Sequence, residues 1–180
     1  IFSWPAPGNV LFASLICGLV GYLAAHFTRK WGFKLAGLFF FALSWAVAGN
    51  LVFRKISESS VANDVYSAML STFSAGALCI YALILVGVYE FLRSRSRDDR
   101  ALLFGSVAVS LFVFLLAMAG GFGKLHDPQH ITWILVVLAA EAFYFAYRFR
   151  EQIIVPAGIA MSLFAWIQIF QFIAGARPDV

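Results

Sequence analysis

Charged side chains are scarce in this sequence. Lys, Arg, Asp and Glu together form 12% of its 180 residues, whereas hydrophobic residues form 62%. A soluble domain carries about 25% charged residues. The shortage of charge therefore excludes an ordinary water-soluble globular domain. The small positive net charge of +4 is also too weak to indicate a surface for nucleic acid.

Cysteine is nearly absent as well. Cys17 and Cys79 both fall inside apolar stretches, and no C-x-x-C is present. We therefore interpret each as a small buried residue rather than as a redox group or a metal ligand.

Histidine occurs only three times, and no copy lies in the middle of an apolar stretch. This placement disfavours haem ligation between helices. His126 and His130 flank Asp127 and Pro128, and an Asp followed by Pro predicts a helix start. A metal site there would need both histidines on one helical face, which Pro128 prevents. We predict no metal site, and the sequence does not identify a cofactor.

Motifs of soluble enzymes are missing. The sequence has no G-x-S-x-G, no phosphate-binding P-loop, no dinucleotide fingerprint and no H-E-x-x-H. Hydrolysis within a membrane usually needs two deep carboxylates or a Ser with a His, and only one deep carboxylate is present. The sequence therefore favours a role other than catalysis.

What the chain does have is long apolar runs. A helix must contain about 20 mostly apolar residues to cross a hydrocarbon layer about 30 Å thick. Six stretches meet this requirement, at 9–27, 33–53, 65–92, 101–122, 131–149 and 153–174. We predict an all-α membrane protein, with residues 1–180 forming a single transmembrane domain. Its six helices would form a bundle of three hairpins.

The orientation follows from the distribution of Lys and Arg, which are enriched in short cytoplasmic loops. Nine lie after the first, third and fifth stretches: Arg29, Lys30, Lys34, Arg93, Arg95, Arg97, Arg100, Arg148 and Arg150. Four lie on the opposite side: Arg54, Lys55, Lys124 and Arg177. This bias predicts that both termini are extracytoplasmic. We expect a bacterial inner (plasma) membrane.

Small residues form a stripe along the first stretch. Ser14, Gly18, Gly21 and Ala25 recur at intervals of three and four residues, so that they share one helical face. Small side chains allow close approach of two helices, and close packing drives association in lipid. We expect this face to contact another helix of the chain or of another subunit.

Glu141 is the only acidic residue near the middle of a stretch. A central acidic residue costs about 2.5–3.5 kcal/mol on insertion scales, so it should face protein or water. Glu141 has either a structural role, in which its carboxyl group is neutral or hydrogen-bonded to a neighbouring helix, or a functional role as a proton or cation site.

Uncharged polar residues are concentrated in the extracytoplasmic halves of the predicted helices. We predict an outward-facing, partly polar pocket with Glu141 at its floor. Its ligand-binding residues would be Asn50, Ser71, Ser74, Glu141, Gln168 and Gln171. The alternative is that these hydroxyls and amides bond across helix contacts; in the third stretch, Ser67, Ser71 and Ser74 share one face.

Three functions agree with these features. The first is an integral membrane transporter or transporter subunit. The second is a transmembrane sensor or signalling input domain, and the third is a structural or assembly subunit of a larger complex. The expected partners are the lipid bilayer together with other membrane subunits or a second copy of the chain. No nucleic acid partner is expected.

Overall fold

The computed structural model describes residues 6–57, 60, 62–95, 99–121 and 128–175. Within these ranges all regular structure is helical and no strand occurs. The fold divides into two compact units, Ile1–Leu111 and Phe112–Val180, and each is described by itself. Their association into the predicted single transmembrane domain stays a prediction.

Helices α1 (Pro7–Thr28) and α2 (Trp31–Val52) form the first packed pair. Pro7 occupies the first turn of α1, where its missing N–H costs no hydrogen bond. Arg29 ends α1 in the left-handed conformation, with φ of 57°, and its N–H donates to the Ala25 carbonyl at 2.8 Å. Arg54 after α2 and Arg150 after α6 also have positive φ, 54° and 57°.

The third predicted stretch, 65–92, is interrupted, and its prediction as one helix is wrong. The structure has α3 (Ala62–Met69) and α4 (Thr72–Ser94), separated by Leu70 and Ser71. The Ser71 hydroxyl accepts from the Ser74 N–H and thereby caps α4. Serine competes with helical backbone bonds in this way, so the serines end one helix and begin the next.

A small apolar cluster joins α2 to α3 beside this interruption. Val47, Ile56 and Val65 are buried together, from α2, the connection after it and α3. Ile56 N–H also bonds back to the Asn50 carbonyl. The cluster fixes the connection against the end of α2.

Helix α5 (Arg100–Gly121) begins in the first unit and continues into the second. Its first half packs on α2 and α4. The Ser106 hydroxyl donates to the Ala82 carbonyl at 3.2 Å, and a Cβ placed on Gly105 would lie 2.7 Å from Leu38 Cδ1.

The second unit contains a second packed pair, α6 (Pro128–Phe149) and α7 (Val155–Gly175). A short 3₁₀ turn, Gln152–Ile154, connects them. Pro128 is the first residue of α6, as its position in the sequence predicts. Gly158 packs against the ring of Phe143, and Phe114 of α5 contacts Phe164 at 6.3 Å between ring centroids.

Among the residues that the structure describes, six helical segments are long and apolar enough to cross a membrane: Pro7–Thr28, Trp31–Val52, Thr72–Ser94, Arg100–Ala119, His130–Phe149 and Gln152–Phe170. The predicted all-α fold with six apolar helices is confirmed, and the chain has the features of an integral membrane protein. The grouping into three hairpins and the side of the termini stay predictions.

Candidate functional site

A groove runs along the first unit between α1, α2, α4 and α5. Its volume is about 400 Å³, which is within the range of small-molecule sites, about 300–1,000 Å³. The surface of its walls is almost entirely apolar. The lining residues are Leu11, Leu15, Tyr22, Leu38, Phe41, Ser44, Trp45, Ala48, Tyr81, Leu85, Val88 and Leu102.

The groove lies at mid-depth of the spans. On α1 its lining runs from Leu11 to Tyr22, and on α2 from Leu38 to Ala48. With a rise of about 1.5 Å per residue, either run is about 15 Å long. Both runs are centred close to the middle of their helices, so the groove lies where the hydrocarbon of a bilayer would surround it.

The small-residue stripe of α1 shapes one wall of this groove. A Cβ placed on Gly21 would lie 3.0 Å from the Gly37 Cα and N, so the two backbones touch. A Cβ on Gly18 would lie 2.8 Å from the Phe41 ring. Phe41 packs in turn on Tyr22, with ring centroids 5.9 Å apart. The close contact of α1 and α2 thus sets two aromatic rings along the groove.

Ser14 and Ala25 complete the predicted stripe, and both are buried. The Ser44 hydroxyl donates to Ser14 Oγ at 2.7 Å and lies 2.9 Å from the Phe40 carbonyl oxygen. Ser14 donates to the Val10 carbonyl at 2.7 Å. The hydroxyl of Ser44 is therefore already engaged and presents little polarity to the groove.

Two further polar groups of the wall, on Tyr81 and Trp45, are also engaged. Tyr81 donates its hydroxyl to the Leu38 carbonyl at 3.1 Å, and the Trp45 indole donates to the Ala77 carbonyl at 2.9 Å. Tyr22 makes no hydrogen bond within the described part of the chain. What the groove offers a ligand is apolar surface and aromatic rings, with the Tyr22 hydroxyl as a polar contact.

An ion pair lies beyond one end of the groove. Lys34 Nζ is 2.7 Å from Asp99 Oδ2, with a third or less of either side chain exposed. Lys34 lies one helical turn before Leu38, and Asp99 lies one turn before Leu102. Residues three or four apart share a helical face, so both charges continue the groove beyond its apolar walls.

Three of the predicted ligand-binding residues meet at the α3–α4 interruption. Asn50 Nδ2 donates to the Ala46 carbonyl and to Ser74 Oγ, both at 2.8 Å. Ser74 and Ser71 then donate to the Ala68 carbonyl at 2.7 and 2.6 Å. Asn50 and Ser74 are fully buried. Their hydroxyl and amide groups bond across helices, as the alternative interpretation expects, and their role as ligand-binding residues stays a prediction.

Glu141 and Gln168 lie in the second unit, on α6 and α7, and both are buried, 5% and 1% exposed. Gln168 Oε1 accepts no hydrogen bond from the described residues, and the same holds for Asn50 Oδ1 in the first unit. Gln171 belongs to the end of α7, and its side chain lies outside the described residues, as do His126 and Asp127. The predicted pocket that joins these residues to Ser71 and Ser74 stays a prediction.

The sequence did not point to the residues that line the groove. Tyr22, Trp45 and Tyr81 look like ordinary interior aromatics in an apolar run. Lys34 and Asp99 look like separate loop charges, because they are 65 residues apart. A search for charged residues in the first turn of a span, on the same face as aromatic residues further along it, could have found Lys34.

Comparison of the chain with protein-family models, with curated proteins and with solved structures found no match.

Proposed function

We propose that this chain is an integral membrane transporter, or the membrane subunit of one, that takes an apolar or amphipathic ligand into the groove of its first unit. The observation that carries this proposal is the apolar groove at mid-depth of four spans. A ligand dissolved in the bilayer can enter such a groove without leaving hydrocarbon. Once there, it is near the middle of the membrane, where transfer between leaflets takes place.

Position and chemistry of the groove agree with this role. Its aromatic residues supply broad rigid contact surface, and the hydrogen bonds of Ser44, Trp45 and Tyr81 are already made within the protein. A ligand therefore need not satisfy buried polar groups of the wall. The outward-facing polar pocket around Glu141 is a separate proposal, for a proton or cation that accompanies transport.

We also propose the orientation with both termini extracytoplasmic, in a bacterial inner membrane. The nine against four distribution of Lys and Arg supports it. Ser57 and Ser94 are exposed and lie on opposite predicted sides. With Cys17 and Cys79 replaced by Ala, Ser57→Cys should react with an impermeant thiol reagent in intact cells, whereas Ser94→Cys should react only after lysis. The reverse pattern would contradict this orientation.

Transport can be tested in liposomes that contain the purified protein and a fluorescent phospholipid with an NBD label on its acyl chain. Dithionite bleaches only the label of the outer leaflet, so it reports movement between leaflets. Ala48 lines the groove and is half-buried, and Ala48→Phe should fill it and slow this movement. Ala108→Phe, on an exposed face of α5, is the matched control and should have no effect.

The outcomes separate the candidate functions. Retention of lipid without movement, by the chain alone and by the chain purified with its membrane partners, would favour a sensor or input domain. Neither retention nor movement, together with stable co-purification of other membrane subunits, would favour a structural subunit. Equal movement in the wild type and in Ala48→Phe would contradict the groove as the route.

A further inference from the structure

We infer that the groove holds one acyl chain of an anionic phospholipid, whose phosphate binds at Lys34 and at the uncapped N-terminus of α2. This inference rests on the groove proposed above as the ligand site, and it specifies the class of its ligand. Because the apolar groove adjoins a charged end, we expect its ligand to be amphipathic. The uncapped N-terminus of α2, with Lys34 in its first turn, favours an anionic headgroup.

The charged end joins the groove without a gap. Leu38 and Leu102 are lining residues, and Lys34 and Asp99 lie one turn further along the same two helices. Trp31 and Phe104 also contact each other, with ring centroids 6.1 Å apart, so the first turns of α2 and α5 are neighbours. A molecule lying in the groove has its end at this ion pair.

Several features of this end favour an anion. Helices α2 and α5 both begin here, and the N-terminus of a helix carries a partial positive charge with free N–H groups. No side chain caps α2. Gly32, in its first turn, is exposed, and a Cβ placed on it would meet nothing within 4 Å. A phosphate can therefore approach the backbone amides of this turn.

Asp99 is the acidic partner of Lys34 at this end of the groove. Asp99 directly precedes α5, and its carbonyl accepts from the Leu102 N–H. A carboxylate beside a helix N-terminus is stabilised there by the helix dipole. Asp99 thus keeps a favourable position when Lys34 turns to a phosphate.

The site is long enough to hold a lipid chain. From Lys34 to Ala48 is 14 residues along α2, or about 21 Å at about 1.5 Å per residue. One leaflet contributes about 15 Å of hydrocarbon, half of the total of about 30 Å. Lys34, in the first turn of α2, lies at headgroup level, and a chain that fills the groove extends past the midplane.

Trp45 allows a direct test because it lines the groove near its centre. Two single-tryptophan proteins, one keeping Trp45 and the other keeping the exposed Trp166 of α7, are placed in nanodiscs of zwitterionic lipid. The nanodiscs also contain a small fraction of lipid brominated in the middle of its chains. This lipid is either phosphatidylglycerol or phosphatidylcholine, at the same fraction in both cases. Bromine quenches the fluorescence of nearby indoles. We expect brominated phosphatidylglycerol to quench Trp45 more than brominated phosphatidylcholine, and both to quench Trp166 equally.

Variants at the charged end identify the headgroup site. Lys34→Gln should abolish the stronger quenching of Trp45 by the anionic lipid. We expect the binding preference of the groove for this lipid to fall about fivefold, since one Lys near the membrane surface gives a preference of that size. Lys34→Arg should retain it, which shows that the variant fold is intact. Asp99→Asn should increase it, because Lys34 loses its competitor. Lys55→Gln, at the opposite end of α2, is the control and should preserve it.

Each contrary result has a distinct meaning. Equal quenching of Trp45 by the two lipids, or equal loss in Lys55→Gln and Lys34→Gln, would overturn the headgroup site while leaving the groove as a site for an apolar ligand. Quenching of Trp45 that does not exceed that of Trp166 with either lipid would overturn occupation of the groove itself.

Discussion

The two packed helix pairs, α1–α2 and α6–α7, achieve close contact in different ways. In the first pair, Gly21 meets the backbone of Gly37, and the buried hydroxyls of Ser14 and Ser44 bond to each other. In the second pair, Gly158 meets the ring of Phe143, a side chain that is 40% exposed. One contact is between two backbones that cannot move apart locally, and the other is between a backbone and a ring that can turn.

The pairs also differ in the polar groups that they bury. The serine side chains of the first pair are short, so their hydroxyls lie within hydrogen-bonding distance of carbonyls of their own helix. Their burial therefore costs little free energy, and we interpret their role as structural. The second pair buries Glu141 and Gln168, long side chains whose polar ends lie far from their own backbone. Burial of such groups is costly in hydrocarbon. Their presence therefore makes the second pair the better place to look for a proton or cation site.

The largest expected effect is that of Gly21→Leu. The new side chain meets Gly37 Cα and N at 3.0 Å, so α1 and α2 must separate. We expect a loss of about 3 kcal/mol, at the upper end of overpacking costs, measured as a lower unfolding temperature in detergent.

Two other glycines provide the comparison. Gly158→Leu should lose about 1 kcal/mol, because the Phe143 ring can turn away. Gly87→Leu, in α4 with nothing within 4 Å of a Cβ, should be neutral. Equal losses at Gly21 and Gly158 would show that the two contacts are equally rigid.

Glu141 comes next. Leu at this position leaves the contacts of the buried carboxyl unsatisfied, at a cost of about 1–3 kcal/mol, whereas Gln keeps the shape and most hydrogen bonds. Glu141→Leu should therefore unfold at lower temperature than Glu141→Gln. If Glu141 exchanges a proton, Gln should also abolish the pH dependence of transport in liposomes. Wild-type stability of Glu141→Leu would show that the carboxyl has no structural partner.

The two buried amides should respond differently to replacement by Leu. Asn50→Leu removes two donated hydrogen bonds, and we expect a loss of about 1–2 kcal/mol. Gln168 Oε1 accepts no hydrogen bond from the described residues, so Gln168→Leu should cost less stability than Asn50→Leu. A loss of activity in Gln168→Leu at unchanged unfolding temperature would identify Gln168 as a functional residue. A large loss of stability would instead indicate a structural role.

The smallest effect is expected for Ser44→Ala. It removes the bond to Ser14, and hydrogen bonds between membrane helices average about 0.6 kcal/mol. Ser162→Ala in α7 is the control, because among the described residues Ser162 bonds within its own helix, to the Gly158 carbonyl at 2.9 Å. A change of more than about 2 kcal/mol in Ser44→Ala would exceed the usual range for one such bond and would imply a wider network.

The sequence was sufficient to predict the spans because the cost of exposing backbone polar groups in hydrocarbon applies to every residue of a helix. It was insufficient at Ser71, since whether a serine bonds back within one helix or caps the next depends on the tertiary fold around it. The buried position of Glu141 follows from its cost alone. The groove and the ion pair of Lys34 with Asp99 depend on which helices are neighbours in the fold. The periodicity of residues within one helix does not show which helices these are.

Arg29, Arg54 and Arg150 are the three residues other than glycine with positive φ in the described part of the chain. Glycine at each position would relax the backbone by about 1 kcal/mol. At Arg29 and Arg150, on the predicted cytoplasmic side, it would also remove a charge that favours the proposed orientation. In that orientation the ends of α1 and α6 give up folded-state stability for a defined direction of insertion during synthesis. Selection for thermostability alone should favour glycine at these two positions, and we expect such chains to fold well once inserted but to insert in mixed orientations.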